Sequence, residues 1–313
     1  MRPASRSAYT FLAFPLAVLM VFTLLPTVAG LLLSLASWTG AGAPRFIGLE
    51  NFRALLGDPR FTPAVRNTLV FTLATVPPTV LGGFLLAAAL NARWFVGKTL
   101  VRTALFLPTV VSIVAIGFVW RWMLDPSGGL IPVALQAVGI DPPQFLQGGP
   151  VFSWGEGASR TVLFPWLEWP MLSVIMVQIW RSLGFAMVLY LAALQNVSPS
   201  LYEAAEVDGA SRRQSLVNIT WPQVAPMTIF LLVTGVISSL QVFDIIWAMT
   251  NGTETAGTVV LNLLVYREFQ QSRMGYAAAI GVSIFVLTVL ATALQLAIRR
   301  IRTPVPSQSA LRL

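Results

Sequence analysis

The stretch EAAEVDGASRRQSLVNITWP, residues 203–222, puts five formal charges into twenty positions between two long apolar runs. Its local signals predict two short helices joined at a glycine. Ser198 reads as a helix cap with Pro199 at the first helical position, and Ser200 followed by Glu203 has capping-box spacing. Leu201, Ala204, Ala205 and Val207 offer that helix an apolar face, and Gly209 then breaks or bends it. Ser211 with Gln214 repeats the capping-box spacing. Leu216, Val217 and Ile219 give the second piece an apolar side, and Trp221-Pro222 ends it. A pair too polar to insert either lies on the membrane surface or protrudes as a knob for a partner's groove.

Composition sets the frame around it. Of 313 residues 56% are hydrophobic and 10% charged, and the mean hydropathy is +0.76, which makes this an integral membrane protein. A hydrocarbon core of about 30 Å needs roughly 20 apolar residues in a helix. Six stretches reach that length, near 10–37, 67–91, 100–123, 170–194, 224–249 and 275–298. The predicted architecture is an all-α membrane protein of six spans, a single transmembrane domain over 1–313 with one long cytoplasmic loop at 196–222. The run from Phe11 to Leu35 exceeds the h-region of a signal peptide, so the first stretch reads as a retained span despite the small residues Ala41-Gly42-Ala43. Cysteine and histidine are both absent. Thiolate chemistry is therefore excluded, and a hydrolytic or metal-dependent enzyme lacks its commonest base and zinc ligand.

Orientation follows from the basic residues. With the N-terminus inside, the inner segments hold Arg2, Arg6, Arg93, Lys98, Arg102, Arg212, Arg213, Arg299, Arg300, Arg302 and Arg312 against Glu203, Glu206 and Asp208, which accounts for the whole net charge of +8. This is the positive-inside pattern, with both termini cytoplasmic. Scattered over four short segments beside spans, these charges do not form a nucleic-acid footprint.

The opening stretch resembles the EAA loop of ATP-binding-cassette (ABC) importer permeases. Glu203-Ala204-Ala205, three residues, Gly209, nine residues, Ile219, one residue and Trp221-Pro222 match its spacing, with Trp221 where leucine is usual. GLENFRALLGDPRF (48–61), LFLPTVVSIVAIGFVWRWMLDPSGGL (105–130), FDIIWAMTNG (243–252) and GYAAAIGVSIF (275–285) look like the carbohydrate-uptake permeases of the maltose and glycerol-phosphate type. The outer loop 125–169, with FLQGGPVFSWGEGASRTVLFPWLEW, is longer than usual. The resemblance implies the type I importer permease fold and a non-catalytic transport subunit in the cell membrane. It implies four kinds of partner: a second, homologous permease, a cytoplasmic ATPase dimer, an extracytoplasmic solute-binding protein and membrane lipid. No cofactor belongs to this chain, since ATP and Mg would be bound by the ATPase. Gly97-Lys98-Thr99 is not a phosphate loop, because the earlier glycine that motif requires is Ala92.

Glu203, Ala204, Ala205, Asp208, Gly209, Ile219 and Pro222 are the expected ATPase-coupling residues, with Glu203 acting either as a cap alone or as a cap that also makes a charge contact with the ATPase. For the substrate pathway, polar groups inside a bundle mark candidates. Gln178, Arg181, Ser182 and Phe185 share a helical face beside Trp180, and Ser238, Ser239, Gln241 and Asp244 follow the loop. A sugar needs hydroxyl partners and an aromatic face, and this set supplies both. The bland alternative is that the serines let helices approach and Gln178 bonds a neighbouring helix. Arg181 requires Asp244 or an anionic substrate group as partner, and sequence leaves that choice open. A secondary, ion-coupled transporter remains the alternative function. Against it, Asp244 is a lone acidic candidate and the chain has no convincing internal repeat.

Overall fold

The computed structural model describes residues 6–91, 97–154, 161–252 and 257–302. Arg2, Arg93 and Arg312 of the charge pattern, and 155–160 of the outer loop, lie outside the described residues. In chain order the elements are α1 (Arg6–Leu19), a π-turn at Met20–Leu24, α2 (Leu25–Leu33), β1 (Ala36–Ser37), β2 (Arg45–Phe46), α3 (Glu50–Gly57) and α4 (Phe61–Asn91). Then come α5 (Lys98–Val110), α6 (Ile113–Met123), α7 (Leu130–Ala137), β3 (Pro150–Trp154), β4 (Thr161–Glu168), α8 (Trp169–Gln195), α9 (Pro199–Val207) and α10 (Arg212–Ser215). A second π-turn at Leu216–Thr220 leads to α11 (Trp221–Gln223), α12 (Ala225–Leu240), α13 (Asp244–Thr250), α14 (Leu261–Gln270) and α15 (Met274–Arg302). The two hairpins, β1 with β2 and β3 with β4, are both antiparallel, small additions to the all-α expectation.

Four helical stretches are long and apolar enough to cross a membrane, Phe11–Leu33, Phe61–Asn91, Trp169–Gln195 and Met274–Ile298, or six if each bent helix pair counts as one span. Two of the predicted spans are broken rather than single helices. The stretch 100–123 is not one helix, because α5 and α6 meet at 100°. Val111 and Ser112 take extended backbone with ψ of 143° and 130°, and Pro108 just upstream has no N–H to hold the ladder. The stretch 224–249 also breaks. α12 ends at Leu240, and α13 restarts at Asp244, whose carboxylate sits in a first turn where the helix dipole favours an anion. The first helical stretch stops at Leu33, so Ala36 and Ser37 at the end of its predicted span form β1.

The chain divides into two compact units, 1–62 with 261–287 and 63–260 with 288–313. In the first unit a buried carboxylate organises the polar contacts. The Glu268 side chain is fully buried and receives Arg60 Nη2 at 2.9 Å and Arg273 Nη2 at 2.6 Å. Arg60 also grips Asp58, donating from Nε at 3.1 Å and Nη2 at 2.8 Å, and Tyr276 donates to the same carboxylate at 2.9 Å. The Arg60 guanidinium holds the Asp58 carboxyl at about 2, so this contribution to stability is present above the ordinary value of 3.8 and is lost as pH falls toward 2. Asn51 donates to the carbonyls of Ser34 and Ala36, each at 2.9 Å.

The second unit packs through small residues. A Cβ at Gly184 would lie 1.9 Å from the Leu105 carbonyl oxygen, so α8 and α5 touch backbone to side-chain-free backbone. Gly83 of α4 meets Ala186 of α8, and Gly117 of α6 meets Ala248 of α13, each with a Cβ-to-Cβ distance of 2.5 Å if a side chain were added. In lipid, where apolar area alone does not drive helices together, such close approach is a main source of attraction. Phe84, Ala87, Leu90, Met187, Tyr190, Leu194, Val224 and Leu231 then fill the core between α4, α8 and α12. Gly184→Ala should therefore destabilise the purified chain by at least about 1–3 kcal/mol through overpacking. Gly281→Ala, with open space around it, should leave thermal unfolding unchanged, and equal behaviour of the two variants would contradict this packing.

Candidate functional site

Three helices of the second unit line an open cavity of about 240 Å³. α4 contributes Thr75 and Thr79, α8 contributes Gln178, Arg181, Ser182 and Phe185, and α12 contributes Thr234, Gly235, Ser238 and Ser239. The 3.6-residue period places 178, 181, 182 and 185 on one face of α8. Gly235 lets α12 come close to α4, since a Cβ there would sit 3.1 Å from Val76.

Six of the eight sequence-derived pathway candidates thus meet at one cavity: Gln178, Arg181, Ser182, Phe185, Ser238 and Ser239. Gln241 and Asp244 do not line it. They fall at the break between α12 and α13, which hydropathy could not reveal. Thr75, Thr79 and Thr234 were missed because threonines inside an apolar helix carry no distinctive sequence signal; their shared feature is position on the faces that converge here.

Hydrogen bonding sorts these groups. Thr75 donates to the Phe71 carbonyl at 2.7 Å and Thr234 to that of Phe230 at 2.7 Å, so both spend their protons on their own helices. Ser239 Oγ lies 3.4 Å from Thr75 Oγ1 across the helix interface, which gives it a packing role as well. Gln178 Nε2 donates to Ser182 Oγ at 3.1 Å, one turn along the same helix rather than to a neighbour. Gln178 Oε1 and Arg181 Nε are buried without a hydrogen-bond partner. The α8 backbone at this level is tied to α5, as Thr109 donates to the Arg181 carbonyl at 3.1 Å.

The charged stretch 203–222 forms two short helical pieces around Gly209. α9 ends in a Schellman arrangement: the Gly209 amide donates to Glu206 at 3.1 Å and the Ala210 amide to Ala205 at 2.9 Å. That geometry needs a left-handed residue, and Gly209 has φ +75°. Ser211 and Gln214 make a complete capping box. Three expectations fail here. Ser198 is the N-cap of α9 without a side-chain cap bond, since its hydroxyl pairs with Ser200 Oγ at 2.7 Å. Glu203 sits beyond the N3 position and is exposed, so it caps nothing. The inward side of α9 is Tyr202 and Ala205 rather than Leu201 and Val207, because the Tyr202 hydroxyl meets Thr220 Oγ1 at 3.0 Å.

Trp221-Pro222 does not end the second piece either. The helix widens to a π-turn at Leu216–Thr220, where the Pro222 ring would press on the carbonyl four residues back. It then passes through α11 and bends by 63° into α12. Ile219 is half-buried in that turn and Pro222 is exposed. Asp208 is the exposed C-cap of α9, with Ala204 exposed beside it. The Trp221 ring meets the edge of Phe84 at 4.8 Å and 82°, and Phe84 meets Tyr190 at 5.6 Å and 69°. Tyr190 donates to Thr228 at 2.8 Å.

Comparison with known proteins gives a consistent picture. The profile of binding-protein-dependent transport system inner membrane components matches residues 54–302. The chain is 31% identical over 295 residues to the probable ABC transporter permease protein YurN of Bacillus subtilis, covering 92% of this chain and 94% of that one. It is 33% identical over 298 residues to the lactose transport system permease protein LacF of Rhizobium radiobacter, covering 92% of each. A chain of a bacterial alginate ABC transporter, solved in complex with an alginate pentasaccharide-bound periplasmic protein, superposes with a TM-score of 0.78 at 25% identity over 95% of this chain and 96% of that one.

The aromatic contact is measurable. In a double-mutant cycle on the purified chain, Trp221→Ala and Phe84→Leu should show a coupling of about 0.5–1.5 kcal/mol in unfolding free energy. Additivity of the two changes would mean that the rings do not touch.

Proposed function

Because the chain belongs to the family of binding-protein-dependent transport system inner membrane components, we propose that it carries a sugar or sugar-like substrate through the cavity between α4, α8 and α12. The chain is a multi-pass membrane permease subunit of a binding-protein-dependent ABC importer and not itself an enzyme. Its partners in this reading are a second permease, a pair of cytoplasmic ATPases that bind ATP and Mg, and an extracytoplasmic solute-binding protein. Sugar as cargo is supported by the lactose permease and the alginate transporter to which the chain is similar. The cavity adds chemical support, with hydroxyls for polar contacts and the Phe185 ring for a sugar face.

The observation that carries the mechanism is that α12 serves both ends. It lines the cavity with Ser238 and Ser239 and is the direct continuation of the segment 203–222 through α11. In this reading the exposed Glu203, Ala204 and Asp208 meet the ATPase, Ala205 and Gly209 set the angle between the two short helices, and Ile219 and Pro222 lead the motion into α12. Closure of the ATPase pair on ATP would displace the docked helices, tilt α12 and switch the side to which the cavity opens. Trp221 pressing on Phe84 is a second contact through which that tilt reaches α4.

Gly209→Asp should insert and accumulate normally, because the site is exposed with open space around it. A side chain at φ +75° strains the turn by about 1–2 kcal/mol. Uptake should be lost together with ATPase co-purification, whereas Ser182→Ala and Gln178→Ala should retain the ATPase and change apparent substrate affinity. Wild-type transport by Gly209→Asp with a normal complex would overturn the coupling role. Orientation has its own check: an accessibility tag placed after residue 303 should react only from the cytoplasm, and labelling from outside would reverse the assigned topology.

A further inference from the structure

Arg181 is the one charged residue among those lining the cavity. A guanidinium stays protonated at any physiological pH, and a charge at membrane depth is costly unless something uses it. The carboxylate named by sequence as its partner does not neutralise it. Asp244 acts on Arg181 through charge alone, with no ion pair joining them among the described residues. Asp244 is exposed at the start of α13 and does not line the cavity. The contrast with Glu268, buried between two arginines, shows how this chain treats a charge whose role is structural.

The neighbouring groups narrow the ligand further. Thr75 and Thr234 have spent their hydroxyl protons on Phe71 and Phe230, so they present acceptor lone pairs to the cavity. Arg181 is the charged donor of the cavity, and its Nε is buried without a partner. One turn earlier on α8, Gln178 Oε1 is an unspent acceptor. A donor fork beside acceptors suits a molecule that combines an anionic group with hydroxyls: the anion takes the guanidinium in a charge-assisted, bidentate contact, and a hydroxyl donates to the amide oxygen. We infer that the cavity is anion-selective and holds the carboxylate, sulfonate or phosphate group of a hydroxyl-rich substrate on Arg181. This inference rests on the reading of the cavity as the substrate's route.

The chain contains no cysteine, so a single introduced thiol reports on the cavity alone. In the assembled transporter, Thr79→Cys and, separately, Ser238→Cys would be labelled with a sulfonate-bearing and a trimethylammonium-bearing methanethiosulfonate. Each reagent forms a mixed disulfide with the thiol and releases methanesulfinate. Rates are divided by those of the same reagent with free 2-mercaptoethanol, and labelling is read on this chain's band. The sulfonate reagent should be favoured at least about tenfold, as expected for a cation lining the same cavity at low effective dielectric. Adding Arg181→Gln should abolish the preference, and Arg181→Lys should keep most of it. Equal rates, or a preference for the cation, would mean that Arg181 is neutralised in the complex and would overturn the inference while leaving the route intact. Failure of both reagents to reach both thiols, in a complex that still co-purifies, would instead sink the route and the inference with it.

Discussion

The close approach of α8 to α5 at Gly184 is the contact on which the second unit's architecture depends. The Leu105 carbonyl occupies the space where any side chain would begin, and one turn earlier Thr109 bonds the Arg181 carbonyl. Two residues on, Ala186 meets Gly83 of α4. α8 is thereby held against α5 and α4 along the segment whose other face carries Gln178, Arg181, Ser182 and Phe185 into the cavity. A helix placed by backbone contact has little freedom to rotate, so the polar face stays directed at α12. The same contact explains why the third stretch of high hydropathy breaks: α5 follows α8, while α6 packs on α13 through Gly117 and Ala248.

The charged segment 203–222 and the cavity-lining helix α12 lie on one continuous stretch of chain. The Schellman turn at Gly209 and the capping box at Ser211 satisfy the backbone at a sharp change of direction without help from bulky neighbours. Exposed charges can then face a partner while the helix that follows enters the core. The π-turn before Trp221 absorbs the proline and lets the chain bend into α12. Trp221, the departure from the usual leucine, places a large ring against Phe84, which in turn leans on the buried Tyr190. The aromatic row joins the end of the charged segment to the core between α4 and α8.

Charge is distributed by purpose. Asp58, Arg60, Glu268 and Arg273 neutralise one another within 3.1 Å, so their function is to hold the first unit together. Glu203, Asp208, Arg212 and Arg213 remain exposed. Arg181 belongs to neither group: it lines a cavity walled by hydroxyls, and its Nε is buried without a partner.

Hydropathy alone located the helical stretches, because about 20 apolar residues in a row leave a chain in lipid little choice but to satisfy its backbone as a helix. The break at Gly209 and the box of Ser211 with Gln214 were legible too, since both are made by residues within a few positions of each other. The same local reasoning failed at Ser198 and Glu203, where several side chains competed for the same helix start. It also passed over the breaks at 111–112 and 241–243, because hydropathy averages over a window and the breaks are decided by which helix each half packs against. Whether Arg181 meets Asp244 was beyond the sequence for the same reason. The two residues are 63 positions apart, and their separation depends on where α12 stops. Local conformation is set by neighbours along the chain, whereas cavity walls and charge partners are set by side-chain volume between helices, which only the tertiary structure decides.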